Sequence, residues 1–136
     1  MNTMQPIMLV EDDQVDAMTI RRALKEINVT NPIIHCRNGE EALEQLEADG
    51  DPPCIILLDL NMPKMNGIEF LKVVKERGDL KMIPVVVLTT SGEERDRVES
   101  FAYSVAGYML KPVDYLQFVD TMRTINLYWT LSKLPA

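Results

Sequence analysis

The sequence predicts a doubly wound α/β domain, a parallel five-stranded sheet in the order 2-1-3-4-5 with helices on both faces. Three observations lead there. Apolar or β-branched runs recur at 7–10, 33–36, 54–58, 84–88 and 107–110. These runs are short and continuous rather than alternating, as strands covered on both faces are. Segments of helical period lie between them, and right-handed crossovers then favour a single parallel sheet.

Each helix has its own signature. Ala17, Ile20, Leu24 and Ile27 share one face of the first, and Ala42 and Leu46 share a face of the second. Ile68, Leu71 and Val74 mark the third; Val98, Ala102 and Val105 mark the fourth. Tyr115, Phe118, Val119, Met122, Ile125 and Trp129 follow i, i+3, i+4, i+7 spacing along the fifth. Asn38 precedes Glu41, Ser91 precedes Glu94 and Asp114 precedes Gln117 by three residues, the spacing of a capping box. Asp13 reads as the cap of the first helix. The arrangement is (βα)5 and flavodoxin-like, and in such sheets the working site lies at the carboxyl ends of the strands.

Composition narrows the function. The 136 residues suit one domain with one core. A formal net charge of −7 argues against a nucleic-acid binder and leaves no basic strip for an anionic membrane. The apolar runs are too short to span a bilayer, and residues 1–6 lack the charged and apolar regions of a signal peptide. Cys36 and Cys54 form no CxxC pair and read as small buried hydrophobes in a reducing compartment, so the expected location is cytoplasmic.

The carboxyl ends carry the chemistry. Val10 is followed by Glu11, Asp12 and Asp13; Leu58 by Asp59; Leu88 by Thr89 and Thr90; Leu110 by Lys111 and Pro112. Acids, a hydroxyl and a lysine from four segments are thus expected on one rim. Two carboxylates at roughly 4 Å repel by about 4 kcal/mol at an effective dielectric of 20. Such a cluster needs a cation, a retained proton or a nearby ammonium. All-oxygen ligands with open positions suit Mg²⁺. Asp59 is the candidate nucleophile, because a carboxylate can hold a phosphoryl group as an acyl phosphate. Thr89 and Lys111 can bind the equatorial oxygens of that group.

Glu11-Asp12, LLDLNMPKMNG (57–67), VLTTS (87–91) and GYMLKP (107–112) together resemble the response-regulator receiver (CheY-like) family. The resemblance runs from about Ile7 to the helix after Asp114. It implies phosphotransfer from a sensor histidine kinase to Asp59, with one Mg²⁺ held by Glu11, Asp12, Asp59 and the backbone carbonyl of Asn61. It also implies that Thr89 is the switch hydroxyl, Tyr108 the switch aromatic and Lys111 the phosphate-binding lysine, followed by a cis Pro112. Gly67 fits the turn that opens the third helix. The pair is Glu-Asp rather than Asp-Asp, which implies that Glu11 reaches the metal through water. Thr90 stands where a smaller residue is more usual, and Asn66 replaces a frequent Asp.

More narrowly, IPVVVLTTS (83–91), the loop near Asp51-Pro52-Pro53 and the Tyr128-Trp129 tail resemble single-domain regulators paired with phytochromes. A bacterial phytochrome is then the implied kinase, and the message passes to a downstream protein by contact.

Two other functions call for residues that differ from those present. A metal-dependent phosphohydrolase with an aspartyl nucleophile wants a second acid two residues on, where this chain has Asn61. A flavodoxin-type carrier wants a Ser/Thr/Gly-rich loop after the first strand, where three acids would repel the flavin phosphate. The chain is therefore expected to be a signalling protein rather than an enzyme. Its expected core covers about 6–126, with an extension at about 127–136 and no output domain. The extension carries Tyr128, Trp129 and Leu131, read either as a tail folded over its own core or as anchors of a homodimer. His35, the only histidine, is expected to lie away from the acidic rim. The nine methionines read as core filler and variable surface.

Overall fold

The computed structural model describes residues 5–48, 50, 52–60, 65, 67–89, 105, 107–110, 115–116, 119–120 and 122–124. Five strands, β1 (Ile7–Val10), β2 (Ile33–Cys36), β3 (Ile55–Leu58), β4 (Val85–Thr89) and β5 (Gly107–Leu110), form one sheet in the order β2-β1-β3-β4-β5. Every pairing is parallel, with Val10 level with Cys36 and with Leu58, and Leu58 level with Val87.

The unbroken apolar runs are explained by what covers each face. Met8, Val10, Ile56, Leu58, Val85 and Val87 point to one side. There they meet Ala42 of α2 (Gly39–Glu47) and Phe70, Leu71 and Val74 of α3 (Gly67–Glu76). Ile7, Leu9, Ile55, Leu57, Val86 and Leu88 point to the other side. They meet Ala17, Ile20, Ala23 and Leu24 of α1 (Gln14–Glu26), together with Val119 and Met122. Alternate strand residues therefore enter two cores, and neither set can be polar.

The helix ends follow from local chemistry. Asp13 caps α1, its Oδ1 accepting from the Asp16 N–H at 3.0 Å. At the other end Asn28 takes a left-handed conformation (φ 64°), and the N–H groups of Asn28 and Val29 return to the carbonyls of Lys25 and Leu24. These two bonds make a Schellman stop, with asparagine in the position where glycine is commonest. Asn38 caps α2 by accepting from the Glu41 N–H at 2.9 Å. The Glu41 carboxylate returns to the Arg37 N–H at 2.9 Å, one residue earlier than a capping box requires.

On the last helical residues Val119 and Met122 are buried, Tyr115 is half-buried and Leu116 is exposed. That agrees with the face expected for the described part of this helix. The Tyr115 hydroxyl donates to Glu26 at 2.9 Å and Arg22 stacks over its ring at 4.7 Å, joining this segment to α1. Ser91, Val98, Ala102, Asp114, Phe118, Ile125 and the tail residues Tyr128, Trp129 and Leu131 lie outside the described residues. Cys36 is buried as expected, but Cys54 is only half-buried, because it precedes β3 at the sheet's rim beside Gln5 and Asn31. Both cysteines are free thiols.

Candidate metal centre

The site begins where β1 and β3 run out of sheet. The Glu11 N–H donates to the Cys36 carbonyl at 2.9 Å, extending the ladder one step past β1 toward β2. The Asp59 N–H donates to the Val10 carbonyl at 2.9 Å, extending the β1–β3 ladder likewise. Each acid is thus fixed by its neighbour strand at the point where its side chain leaves the core. Glu11 is 1% and Asp59 6% exposed, while Asp12 is exposed.

Carboxylate oxygens of Glu11, Asp12 and Asp59 lie within 4.8 Å of one another, the only such grouping of acids, histidines or cysteines among the described residues. Asp13 is not a member, since its carboxylate caps α1. The Asp13 backbone N–H also donates to Glu11 Oε2 at 3.3 Å. Three negative groups this close, two of them buried, repel strongly in a medium less polar than water. A hard divalent cation relieves that repulsion, and an oxygen-only donor set with one exposed side fits an ion that keeps waters.

Gly67 supports the site in a way the sequence does not reveal. Its importance lies in close approach rather than in a turn conformation. A Cβ there would stand 2.5 Å from the Leu60 Cα and 2.6 Å from the Asp59 carbonyl oxygen. The Gly67 N–H also donates to the Leu60 carbonyl at 3.1 Å. The first turn of α3 therefore presses on the backbone that carries Asp59.

Thr89 ends β4, and its backbone is level with Leu110, the residue before Lys111; Tyr108 is level with Val87. The strand order thus brings the end of β4 beside the end of β3, with the end of β5 next beyond it. The side chains of Thr89 and Tyr108, and all of Asn61, Lys111 and Pro112, lie outside what is described.

His35 departs from expectation. Its Nε2 lies 2.7 Å from the Glu11 carbonyl oxygen, so the ring sits against the acidic rim rather than away from it. The signal was the register: His35 is level with Leu9, two residues before Glu11, and a long side chain can reach forward along the neighbouring strand.

The chain belongs to the response-regulator receiver family, whose domain matches residues 7–123. It is accordingly a two-component response regulator, a family of signalling proteins that take phosphoryl groups from histidine kinases. Response regulator Rcp1 of Synechocystis sp. PCC 6803 is 36% identical, covering 99% of this chain and 96% of Rcp1. The probable methanogenesis regulatory protein FilR2 of Methanothrix harundinacea is 39% identical over 90% of this chain and 82% of its own length. The crystal structure of the phosphorylated cyanobacterial phytochrome response regulator RcpA superposes with a TM-score of 0.88 at 36% identity, covering 98% of this chain and 99% of RcpA. These likenesses support the response-regulator reading and give none to a phosphohydrolase. Among the described residues no helix is long and apolar enough to cross a membrane.

Proposed function

We propose that Asp59 is the phosphoacceptor of this response regulator, with Glu11 and Asp12 completing its cation site. The observation that carries this reading is the gathering of three carboxylates within 4.8 Å at the ends of β1 and β3. A carboxylate oxygen of Asp59 attacks phosphorus, and the P–N bond of the donor phosphohistidine breaks. The bonding pair returns to the imidazole nitrogen, and an acyl phosphate remains on Asp59. One Mg²⁺ would be held by Asp12, Asp59 and the Asn61 carbonyl, with Glu11 reaching it through water. When bound, it offsets the charge that the acids and the incoming phosphoryl oxygens bring together.

In this proposal Lys111 and the Thr89 hydroxyl bind phosphoryl oxygens, Pro112 shapes the Lys111 loop, and Tyr108 fills the space that Thr89 leaves. The new position of Tyr108 carries the state to a downstream protein. The reading covers a signalling protein that assists only its own phosphorylation and dephosphorylation, working in the cytoplasm. Its receiver core is about 6–126, with an extension at about 127–136. The likeness to Rcp1 and RcpA supports a bacterial phytochrome as the kinase. A homodimer anchored by Tyr128, Trp129 and Leu131 remains a proposal, and light scattering before and after deletion of 128–136 tests it. An unchanged mass would leave the folded-back tail.

Acetyl phosphate with Mg²⁺ is expected to add one phosphoryl group, seen by intact mass, and none in Asp59→Asn or with chelator. Equal labelling of Asp59→Asn would move the nucleophile elsewhere.

A further inference from the structure

We infer that His35 is a positioning residue for the cation site, acting through a hydrogen bond from its ring to the Glu11 carbonyl. The inference rests on the proposed cation site and extends it to a residue on the neighbouring strand.

Glu11 stands past the last paired residues of β1 and β2, which are Val10 and Cys36. Its N–H still finds a ladder partner, the Cys36 carbonyl at 2.9 Å. Its carbonyl is one step further out. In a parallel ladder of this register the next donor would be the Asn38 N–H. Asn38, however, is the N-cap of α2, where the chain turns out of the sheet. The His35 ring meets the carbonyl instead, at 2.7 Å. A carbonyl oxygen only accepts, so Nε2 must carry a proton, in the neutral Nε2–H tautomer as in the imidazolium. The contact therefore does not depend on the charge of the ring.

The bond acts on the peptide plane between Glu11 and Asp12. One flanking Cα carries the buried carboxylate of Glu11, and the other carries the exposed carboxylate of Asp12. Rotation of that plane would swing both side chains relative to Asp59. Glu11 has a second restraint in the bond from the Asp13 N–H to Oε2. Asp12 follows the plane directly, with a solvent-exposed side chain. Consecutive residues of β2, His35 and Cys36, thus hold the carbonyl and the N–H of Glu11, and orientation of the acidic pair passes to an edge strand. Outer partners that orient ligands in this way typically govern metal affinity by about 10- to 100-fold.

The test uses Mn²⁺ as the probe, its free aquo ion followed by electron paramagnetic resonance in titrations of the full-length protein. His35→Leu fills the volume without a donor; His35→Gln places an amide N–H at about the reach of Nε2. His35→Leu is expected to weaken Mn²⁺ binding about tenfold, and His35→Gln to restore most of it. With acetyl phosphate, His35→Leu should need more Mg²⁺ for half-maximal phosphorylation while reaching the wild-type rate at saturation. Thermal unfolding in chelator confirms that each variant is folded. If His35→Leu does not fold, His35→Val, whose β-branched side chain suits a strand, takes its place. Equal binding by wild type and the apolar variant overturns the inference and leaves the cation site standing. Equal weakening in His35→Leu and His35→Gln overturns it as well, because the donor would not be what matters. No Mn²⁺ binding by the wild type overturns the cation site and this inference together.

Discussion

The two ends of the sheet are built from the same strands and are chemically opposite. At the amino end a proline stands immediately before β1, β2 and β4 (Pro6, Pro32 and Pro84), and Pro53 stands two residues before β3. Proline has no N–H to leave unpaired, so the ladder stops there without an orphan donor. The proline carbonyls still join it: Pro32 accepts from Ile7 at 2.8 Å, and Pro6 and Pro84 accept from Cys54 and Ile56 at 2.9 Å. A hollow of about 350 Å³ there, lined by Pro6, Met8, Ile34, Leu46, Pro53 and Leu80 among others, carries no ionisable side chain among the described residues. At the carboxyl end the last ladder bonds instead hold Glu11 and Asp59 beside Asp12. One end closes the fold, and the other gathers three carboxylates within 4.8 Å of one another. The register that secures the first is what aligns the second.

The sharpest way to break this comparison is to remove charge from the carboxyl end. Asp59→Asn is expected to abolish phosphorylation and, in chelator, to raise stability by about 1 kcal/mol or more through relief of repulsion. Wild type should gain about 2.7 kcal/mol when Mg²⁺ stands at a hundred times its dissociation constant, and the variant much less. Urea unfolding with and without Mg²⁺ measures both. An Asp59→Asn protein that is less stable in chelator and still gains fully from Mg²⁺ would show that Asp59 neither repels its neighbours nor binds the ion.

Gly67→Ala tests the rim by shape alone. The added methyl meets backbone atoms of Asp59 and Leu60, which cannot swing aside, so a loss of about 1–3 kcal/mol is expected. Displacement of Asp59 should also slow phosphorylation by acetyl phosphate. Gly78→Ala, with nothing within 4 Å of its new Cβ, is the matched control and should leave the phosphorylation rate unchanged. Similar losses in stability and rate for the two variants would remove the special role of Gly67.

What could be read in the sequence, and what could not, follows the same physical lines. Bounds for β1, β2 and β5 agree with expectation to the residue, because hydrophobic runs bracketed by turn residues mark buried strands clearly. The fourth run was expected from Pro84, whereas β4 starts at Val85, since a residue without an N–H cannot open the ladder as a donor. The gathering of Glu11, Asp12 and Asp59 was legible because strand order alone brings those ends together. The close approach of Gly67 and the reach of His35 were not. Both depend on ångström-level placement of one element against another, which periodicity does not encode.

A smaller contrast lies between the two thiols. Cys36 ends β2 beneath the acidic rim, and burial first, then the nearby Glu41 carboxylate, pushes its pKa up to about 11 from 9.0. Cys54, half-buried at the amino end, is also raised, chiefly by burial. For Cys36 the folded state favours the neutral thiol. Its contribution to stability is therefore complete below pH 9 and declines as pH rises from there through about 11. Denaturation midpoints should fall over that window, and Cys36→Ser should flatten the fall. A disulfide reagent at pH 8 should label Cys54 first and Cys36 only as the fold opens. Faster labelling of Cys36 would contradict the burial of the β2 end.

The smallest effect is expected where the amino end is altered without touching its packing. Pro32 is exposed, and its contribution to β2 is a fixed φ and a carbonyl that accepts from the Ile7 N–H. Alanine keeps that carbonyl and can adopt the same φ, so the ladder bond survives in Pro32→Ala. What changes is the unfolded chain, which becomes freer and costs more to order, by about 0.4–1 kcal/mol. An N–H is also introduced at position 32, and solvent can satisfy it at an exposed site. Urea unfolding should show this small loss, while Mg²⁺ affinity and phosphorylation by acetyl phosphate stay at wild-type values. The two ends are joined by strands of four or five residues, so a perturbation could travel from one to the other only by shifting the register. Pro32 lies directly before Ile33, the residue level with Ile7, on the strand that also carries His35 and Cys36. Weaker Mg²⁺ binding in Pro32→Ala would therefore show that the amino end of β2 sets the placement of the acids, and that the two ends are not independent.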